Sequence, residues 1–188
     1  MTTRRRCLLL DANVVITLYA EGIWERGTKA CEILVPETVV DESRFHSTDL
    51  AGFAEPIDLR KEEGAGRVRV VSATASEILD LRQRFAPWFL ELIQAGEIEA
   101  LMLLLFRPDL DEDMCTGDGP AIQTAAMLGL SERVVSLERV LREVGLGRTL
   151  ERQFGQEFLS KALGDTLTMV SRDGPLEKHG GFTPLSWV

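Results

Sequence analysis

The fold of this chain is decided by the stretch Cys7-Leu8-Leu9-Leu10-Asp11, which Asn13-Val14-Val15-Ile16 follows. A short apolar run of this kind is typical of a buried strand. In open α/β sheets, ligands bind beyond the carboxyl ends of the strands, where the chain turns into a helix. Asp11 stands at such a place, and a buried carboxylate requires a cation or hydrogen-bond donors. The stretch therefore predicts a strand over 7–10 and a site at its end.

Length and composition limit the class of protein. The 188 residues, 45% of them hydrophobic, suffice for one domain with an elaboration. The formal net charge of −9 differs from that of a nucleic-acid coat protein, which would be basic. Three cysteines lack paired metal-ligand spacing, which favours reduced thiols in the cytosol. The longest apolar run, 100–106, is too short to span a bilayer. We therefore expect a cytoplasmic protein without a membrane segment.

Short apolar runs alternate with segments of helical periodicity along the chain. The further predicted strands are 33–36, 67–71, 114–116 and 134–136. The predicted helices are 15–31, 37–45, 74–85, 95–106, Pro120 to the turn at Gly129, 137–144 and 150–163. Residues 47–66 show no clear pattern. This alternation predicts an α/β fold in three layers, α/β/α, with a mostly parallel central sheet.

The chain divides into a domain over 1–146 and a C-terminal helical extension over 147–188. Phe154, Phe158, Leu159 and Leu163 recur at helical spacing in the extension. An apolar helix face of this kind needs a surface to bury against. We therefore expect the extension to pack on the domain or on a second subunit, and both alternatives stay open.

Four acids occupy matching places in this layout. Asp11 and Asp118 end predicted strands, while Glu42 and Glu99 lie in predicted helices. Such positions can face one crevice at the carboxyl edge of a parallel sheet. Clustered carboxylates repel one another unless a divalent cation lies among them, and hard oxygen ligands suit Mg²⁺ or Mn²⁺. Taken alone, Asp11 and Asp118 also fit helix caps, Glu99 a first-turn acid and Glu42 a solvated helix residue. The prediction therefore depends on all four together.

Four pieces of sequence, in this order, resemble the PIN-domain family of metal-dependent ribonucleases, best known as toxins of toxin–antitoxin pairs. The pieces are Leu9-Leu10-Asp11-Ala12-Asn13-Val14-Val15-Ile16, Val35-Pro36-x-x-Val39-Val40-x-Glu42, Gly96-Glu97-Ile98-Glu99-Ala100, and Thr116-Gly117-Asp118-Gly119 leading to Ala125-Ala126-x-x-Gly129-Leu130. The resemblance covers roughly residues 7–146. The acidic charge and the chain beyond residue 146 depart from the family pattern.

The resemblance implies an endoribonuclease that uses Mg²⁺ or Mn²⁺, acts on RNA and is held in check by an antitoxin-like protein inhibitor. The implied catalytic and metal-binding residues are Asp11, Glu42, Glu99 and Asp118. Asn13 and Thr116 match supporting polar positions of the family. Glu97 is the other acid of its piece, and the choice between Glu97 and Glu99 stays open. Glu99 is preferred because it precedes Ala100.

Two other functions stay open. An interaction protein that keeps the PIN fold without activity fits the acidic composition, which suits RNA poorly. A phosphohydrolase of the haloacid dehalogenase type also begins with an apolar strand ending in Asp. That chemistry needs a second Asp two residues later, and Asn13 stands there.

Overall fold

A computed structural model describes residues 5–7, 10–47, 54–84, 91, 93–107, 110 and 112–173. Its strands are β1 (Arg5–Cys7), β2 (Cys31–Pro36), β3 (Phe45–Ser47), β4 (Ala54–Pro56), β5 (Val68–Val71), β6 (Met114–Cys115) and β7 (Val134–Val135). Its α-helices are α1 (Ala12–Ala20), α2 (Trp24–Ala30), α3 (Glu37–Glu42), α4 (Leu59–Gly64), α5 (Ala75–Arg84), α6 (Ala95–Phe106), α7 (Gly119–Met127), α8 (Leu137–Glu143) and α9 (Gln156–Asp173). Two 3₁₀ turns span Ser131–Arg133 and Arg152–Phe154.

The parallel strands form two small sheets. One sheet has the order β1-β2-β5, and the other pairs β6 with β7. The segment that carries Asp11 lies between them. Leu10 N donates to Leu34 O at 3.2 Å, and Asp11 N donates to Cys115 O at 3.4 Å. Leu10 also forms a parallel bridge with Cys115. The prediction of a mixed α/β protein with parallel strands is therefore confirmed.

Two clusters of buried apolar side chains pack on the strands. Leu34 belongs to the cluster beneath α6 and α7, whereas its neighbours Ile33 and Val35 belong to the cluster beneath α1 and α8. The same division separates Met114 from Cys115. Successive strand residues point to opposite faces, so each cluster lies on its own side. Apolar side chains are thus buried on both faces of β2 and β6.

The predicted 95–106 helix is observed with those bounds, whereas the predicted 37–45 helix ends at Glu42 and the predicted 150–163 helix spans Gln156–Asp173. The predicted 15–31 helix is divided into α1 and α2, because the chain turns at Gly22 with a φ of 63°, a conformation that favours glycine. The predicted first strand is only partly observed, since β1 ends at Cys7 and residues 8–9 lie outside the described residues. The unassigned stretch 47–66 contributes to an antiparallel hairpin of β3 and β4 and then forms α4.

The described part of the extension packs on the rest of the protein. Helix α9 lies against α7. Leu159 is 3% exposed and joins the cluster beneath α6 and α7, while Phe154, also 3% exposed, joins the other cluster. The boundary at residue 146 stays a prediction. Across the described residues, we find no helix with the length and apolar character that crossing a membrane demands.

Candidate functional site

Asp11 is held by three donors at the carboxyl end of the first strand segment. It is the N-cap of α1, where its Oδ1 accepts from Val14 N at 2.6 Å. Its Oδ2 accepts from the Thr116 hydroxyl and from Gly117 N, the latter at 3.2 Å. Burial raises the pKa of Asp11, these hydrogen bonds oppose the rise, and the charge of Asp118 adds to it. The carboxylate is therefore fixed in direction at a site that disfavours its charge.

Asp118 lies beside Asp11, at the start of α7. Its Oδ1 accepts from Ala121 N at 2.8 Å, which caps the helix. Its own backbone N donates to Thr116 Oγ1 at 2.9 Å. Burial raises the pKa of Asp118. Thr116, which is buried, thus joins the Asp11 carboxylate to the backbone of Asp118 through one hydroxyl group.

Glu97 brings a third carboxylate to this place from the first turn of α6. Its Oε2 accepts from Gln94 N at 3.0 Å. Its Oε1 is buried and has no hydrogen-bond partner among the described residues. Burial, followed by the charges of Asp118, Asp11 and Glu42, raises the pKa of Glu97 to about 8. A buried carboxylate oxygen without a donor is costly, so Glu97 requires a proton or a cation.

Glu42 ends α3 and borders the same acids. The residue is exposed overall, but its Oε1 accepts from Gly96 N at 3.3 Å. Partial burial against α6 raises the pKa of Glu42, and the charges of Asp11 and Glu99 raise it further. A Cβ on Gly96 would lie 2.5 Å from Val39 Cγ2 and 2.7 Å from Glu42 Oε2. Glycine at position 96 is therefore what lets α3 and α6 approach.

Glu99 has a different environment from Glu97. Its Oε2 accepts from Thr38 N at 2.8 Å, and its Oε1 accepts from Ala73 N at 2.9 Å. Both oxygens are thus occupied by backbone donors, which tie α6 to α3 and to the segment after β5. Residues two apart on a helix do not share a face. The backbone contacts of Glu99 therefore favour Glu97 as the third acid of the site, and the choice between the two stays a prediction.

The two supporting polar residues predicted from sequence, Thr116 and Asn13, differ in their surroundings. Thr116 lies between Asp11 and Asp118, whereas Asn13 is exposed in the first turn of α1. Within the described ranges, no group of three or more His, Cys, Asp or Glu side chains is arranged to hold a metal ion. The charge of Asp118 raises the pKa of Asp11, and the charges of Asp11 and Glu99 raise that of Glu42. The convergence of Asp11, Glu42, Glu99 and Asp118 on one cation stays a prediction.

The sequence did not indicate the contact between Gly117 and Phe154. A Cβ on Gly117 would lie 2.8 Å from two ring carbons of Phe154. Phe154 belongs to the extension, and Gly117 N is one of the donors to Asp11. The extension therefore packs directly on the loop that orients the Asp11 carboxylate. Only the adjacency of glycine to Asp118 was visible in the sequence, because the ring comes from 37 positions later.

This contact predicts non-additive stabilities. Gly117→Ala should destabilise the protein by about 1–3 kcal/mol through overpacking, and Phe154→Ala by about 3–5 kcal/mol through cavity formation. In the double variant, the cost of Gly117→Ala should largely vanish because the opposing ring is gone. Urea unfolding measures all three free energies. Gly64→Ala is the control, since a Cβ there meets nothing within 4 Å. Strict additivity would contradict the contact.

Comparison with protein-family models, with curated proteins and with solved structures gives no match for this chain. Its function is therefore inferred from the geometry of the acids and from the sequence pieces around them.

Proposed function

We propose that this protein is a divalent-metal-dependent endoribonuclease of the PIN type, with a three-layer α/β/α fold. In this proposal Asp11, Glu97 and Asp118 hold Mg²⁺ or Mn²⁺, and Glu42 borders the site. The observation that carries the proposal is the buried Oε1 of Glu97, which has no donor among the described residues and lies near two further acids. Carboxylate oxygens are the ligands that hard divalent cations prefer, so the donor chemistry suits such an ion.

The position of the acids also supports a site. Asp11 and Asp118 follow parallel strand segments, at the edge where α/β proteins bind ligands. Packing on both faces of β2 and β6 supports the three-layer arrangement. The antitoxin-like inhibitor follows from the family resemblance alone.

In this mechanism, some residues of the protein orient the Asp11 carboxylate and others set the protonation state of Glu97. When bound, Mg²⁺ or Mn²⁺ supplies a more acidic water and stabilises charge on phosphate oxygens. Val14 N, Gly117 N and the Thr116 hydroxyl hold the Asp11 carboxylate in one direction. Burial and the neighbouring acids raise the pKa of Glu97 to about 8. Without metal, Glu97 therefore holds a proton near neutral pH, and it must release this proton to bind the ion.

The second candidate is an interaction protein without activity. It is favoured by the lack, among the described residues, of three side chains arranged around one ion, and by the net charge of −9. The haloacid dehalogenase alternative gains nothing from the structure, because exposed Asn13 stands where that chemistry needs an acid.

The decisive experiment is cleavage of labelled single-stranded RNA by protein that has been unfolded, separated from any bound inhibitor and refolded. We expect cleavage in Mg²⁺ or Mn²⁺ and none in EDTA. Cleavage that persists in EDTA would reveal a contaminating, metal-independent ribonuclease. Absence of cleavage over a range of metal and salt concentrations would favour the interaction protein.

A further inference from the structure

A cavity of about 320 Å³ lies between the start of α7 and the extension. Its volume falls within the range of about 300–1,000 Å³ that is usual for small-ligand sites. Its wall includes Gly119, Gln123, Arg152, Gln153, Phe158 and Lys161. The cavity begins one residue after Asp118, so a molecule bound there would lie next to the candidate site.

Arg152 offers an uncommitted positive charge to this cavity. It is exposed and makes no hydrogen bond or ion pair through its side chain with the described residues. It also lines an adjoining cavity of about 360 Å³, together with Arg148 and Lys161. The exposed Lys161 pairs with Asp165. Arg152 can therefore offer its whole guanidinium group to an anion, and a planar guanidinium suits phosphate oxygens.

An aromatic ring and two amides complete the wall. Cζ of Phe158 lies 3.7 Å from the position that a Cβ on Gly119 would take. Phe158 is half-buried, and Gln123 and Gln153 lie on the same wall. Proteins bind single-stranded RNA by stacking bases on aromatic rings, by hydrogen bonds to base edges and by cations near the phosphates. The cavity combines all three.

We propose that this cavity is a nucleotide subsite, supplied by the C-terminal extension, for the RNA residue next to the phosphate that is cleaved. The inference rests on the proposed ribonuclease function. Arg152 binds the phosphate, Phe158 stacks on the base, and Gln123 contacts the base edge, because Lys161 already pairs with Asp165 and the Gln153 amide already donates to Glu151.

The nearby carboxylates do not oppose this assignment, because most of them have partners. Glu138 accepts from Arg142 at 2.6 Å and from Gln156 N at 2.7 Å. Glu151 accepts from the Gln153 side chain at 2.5 Å. Asp165 is the carboxylate on the wall of the 320 Å³ cavity itself, and it pairs with Lys161. Glu157 lines only the adjoining cavity, away from Gly119. Among the described residues of this wall, the charge that has no ion-pair partner is therefore positive, although the net charge of the chain is −9.

The test measures binding of a fluorescent single-stranded RNA in EDTA, where no cleavage is expected. Arg152→Gln should weaken binding roughly tenfold and should reduce the slope of log affinity against log salt by about 0.7, the value for one lost phosphate contact. Phe158→Leu should weaken binding roughly tenfold, as expected for one lost stacking contact, and should leave the salt slope unchanged. Phe158→Tyr keeps the ring and should bind like the unchanged protein.

Arg26→Gln is the matched control. Arg26 is exposed on α2, which leads into the start of β2, at the opposite end of the strands from the acids. Its loss should not change RNA affinity. Equal weakening by Arg26→Gln and Arg152→Gln would overturn the subsite in favour of diffuse attraction.

The outcomes also separate this inference from the proposed function. If the unchanged protein binds and cleaves RNA while the Arg152 and Phe158 variants bind it equally well, the subsite is wrong and the ribonuclease stands. If the unchanged protein neither binds nor cleaves RNA, both proposals fail.

Discussion

The Asp11→Asn protein is expected to lose RNA cleavage by at least about 10²–10³-fold, the loss typical of one preorganised electrostatic group. The substitution keeps the shape of the side chain and removes its charge. The amide oxygen can still accept from Val14 N, and the Thr116 hydroxyl can rotate to accept from the amide. Gly117 N loses its acceptor, which costs about 1–3 kcal/mol. Relief from burying a charge offsets part of this cost, because burial raises the pKa of Asp11.

Asp58→Asn is the control for this substitution. Asp58 also caps a helix, accepting from Lys61 N at 2.9 Å, but it is exposed at the start of α4. The same chemical change should therefore leave cleavage unaffected there. Initial cleavage rates in Mn²⁺ and unfolding curves in urea should be measured on both proteins. Undiminished cleavage by a folded Asp11→Asn protein would exclude Asp11 from the reaction.

Local sequence was enough to predict many of the helices. The predicted 95–106 helix is observed with those bounds, since its apolar residues are buried nearly throughout. The helix predicted over 74–85 begins with a capping box, in which Thr74 N donates to Glu77 Oε2 at 2.6 Å and Glu77 N to Thr74 Oγ1 at 3.2 Å. These signals lie within a few residues of one another. The β3–β4 hairpin escaped prediction because its strands of three residues each are too short to show a period.

The spacing of residues along the chain was not enough to predict which side chains form the candidate site. Sequence indicated an acid at the start of α6, but it could not tell which of two acids, two positions apart, faces the crevice. In the structure, the Glu99 oxygens accept from Thr38 N and Ala73 N, two donors that lie far from Glu99 along the chain. Phe154 and Gly117, which are in contact, are also far apart along the chain. Contacts of this kind depend on how elements pack, and no local pattern specifies them.

Glu97→Gln and Glu99→Gln should change stability in opposite directions when metal is removed with EDTA. In Glu97→Gln, the amide oxygen can still accept from Gln94 N, and the amide NH₂ group replaces the oxygen that has no donor. This substitution should therefore stabilise the protein near pH 8. In Glu99→Gln, the amide NH₂ group would point at either Thr38 N or Ala73 N, which are both donors. That substitution should therefore destabilise the protein by about 1–3 kcal/mol at every pH.

The pH dependence follows from the raised pKa of Glu97, about 8 in the fold against an ordinary 4.5. The folded state binds this proton more tightly than the unfolded state does. The stabilising effect of this proton on the folded state is complete below about pH 4.5 and is lost as the pH rises to about 8. At 1.36 kcal/mol per pKa unit, the loss is on the order of 5 kcal/mol. Glu97→Gln should remove this part of the dependence of stability on pH. The parts due to Asp11, Asp118 and Glu42 should remain.

Adding a divalent metal also distinguishes Glu97→Gln from Glu99→Gln, because a cation that binds only the folded state stabilises it by mass action. At pH 8 and about 100 times its dissociation constant, Mn²⁺ should stabilise the unchanged protein by about 2.7 kcal/mol. Glu97→Gln should gain clearly less, since one charged ligand is missing. Glu99→Gln should keep its gain, because the Glu99 oxygens are occupied by backbone donors. Equal gains in all three proteins, measured by urea unfolding with and without Mn²⁺, would remove Glu97 from the metal site. A loss of gain confined to Glu99→Gln would instead restore the choice made from sequence.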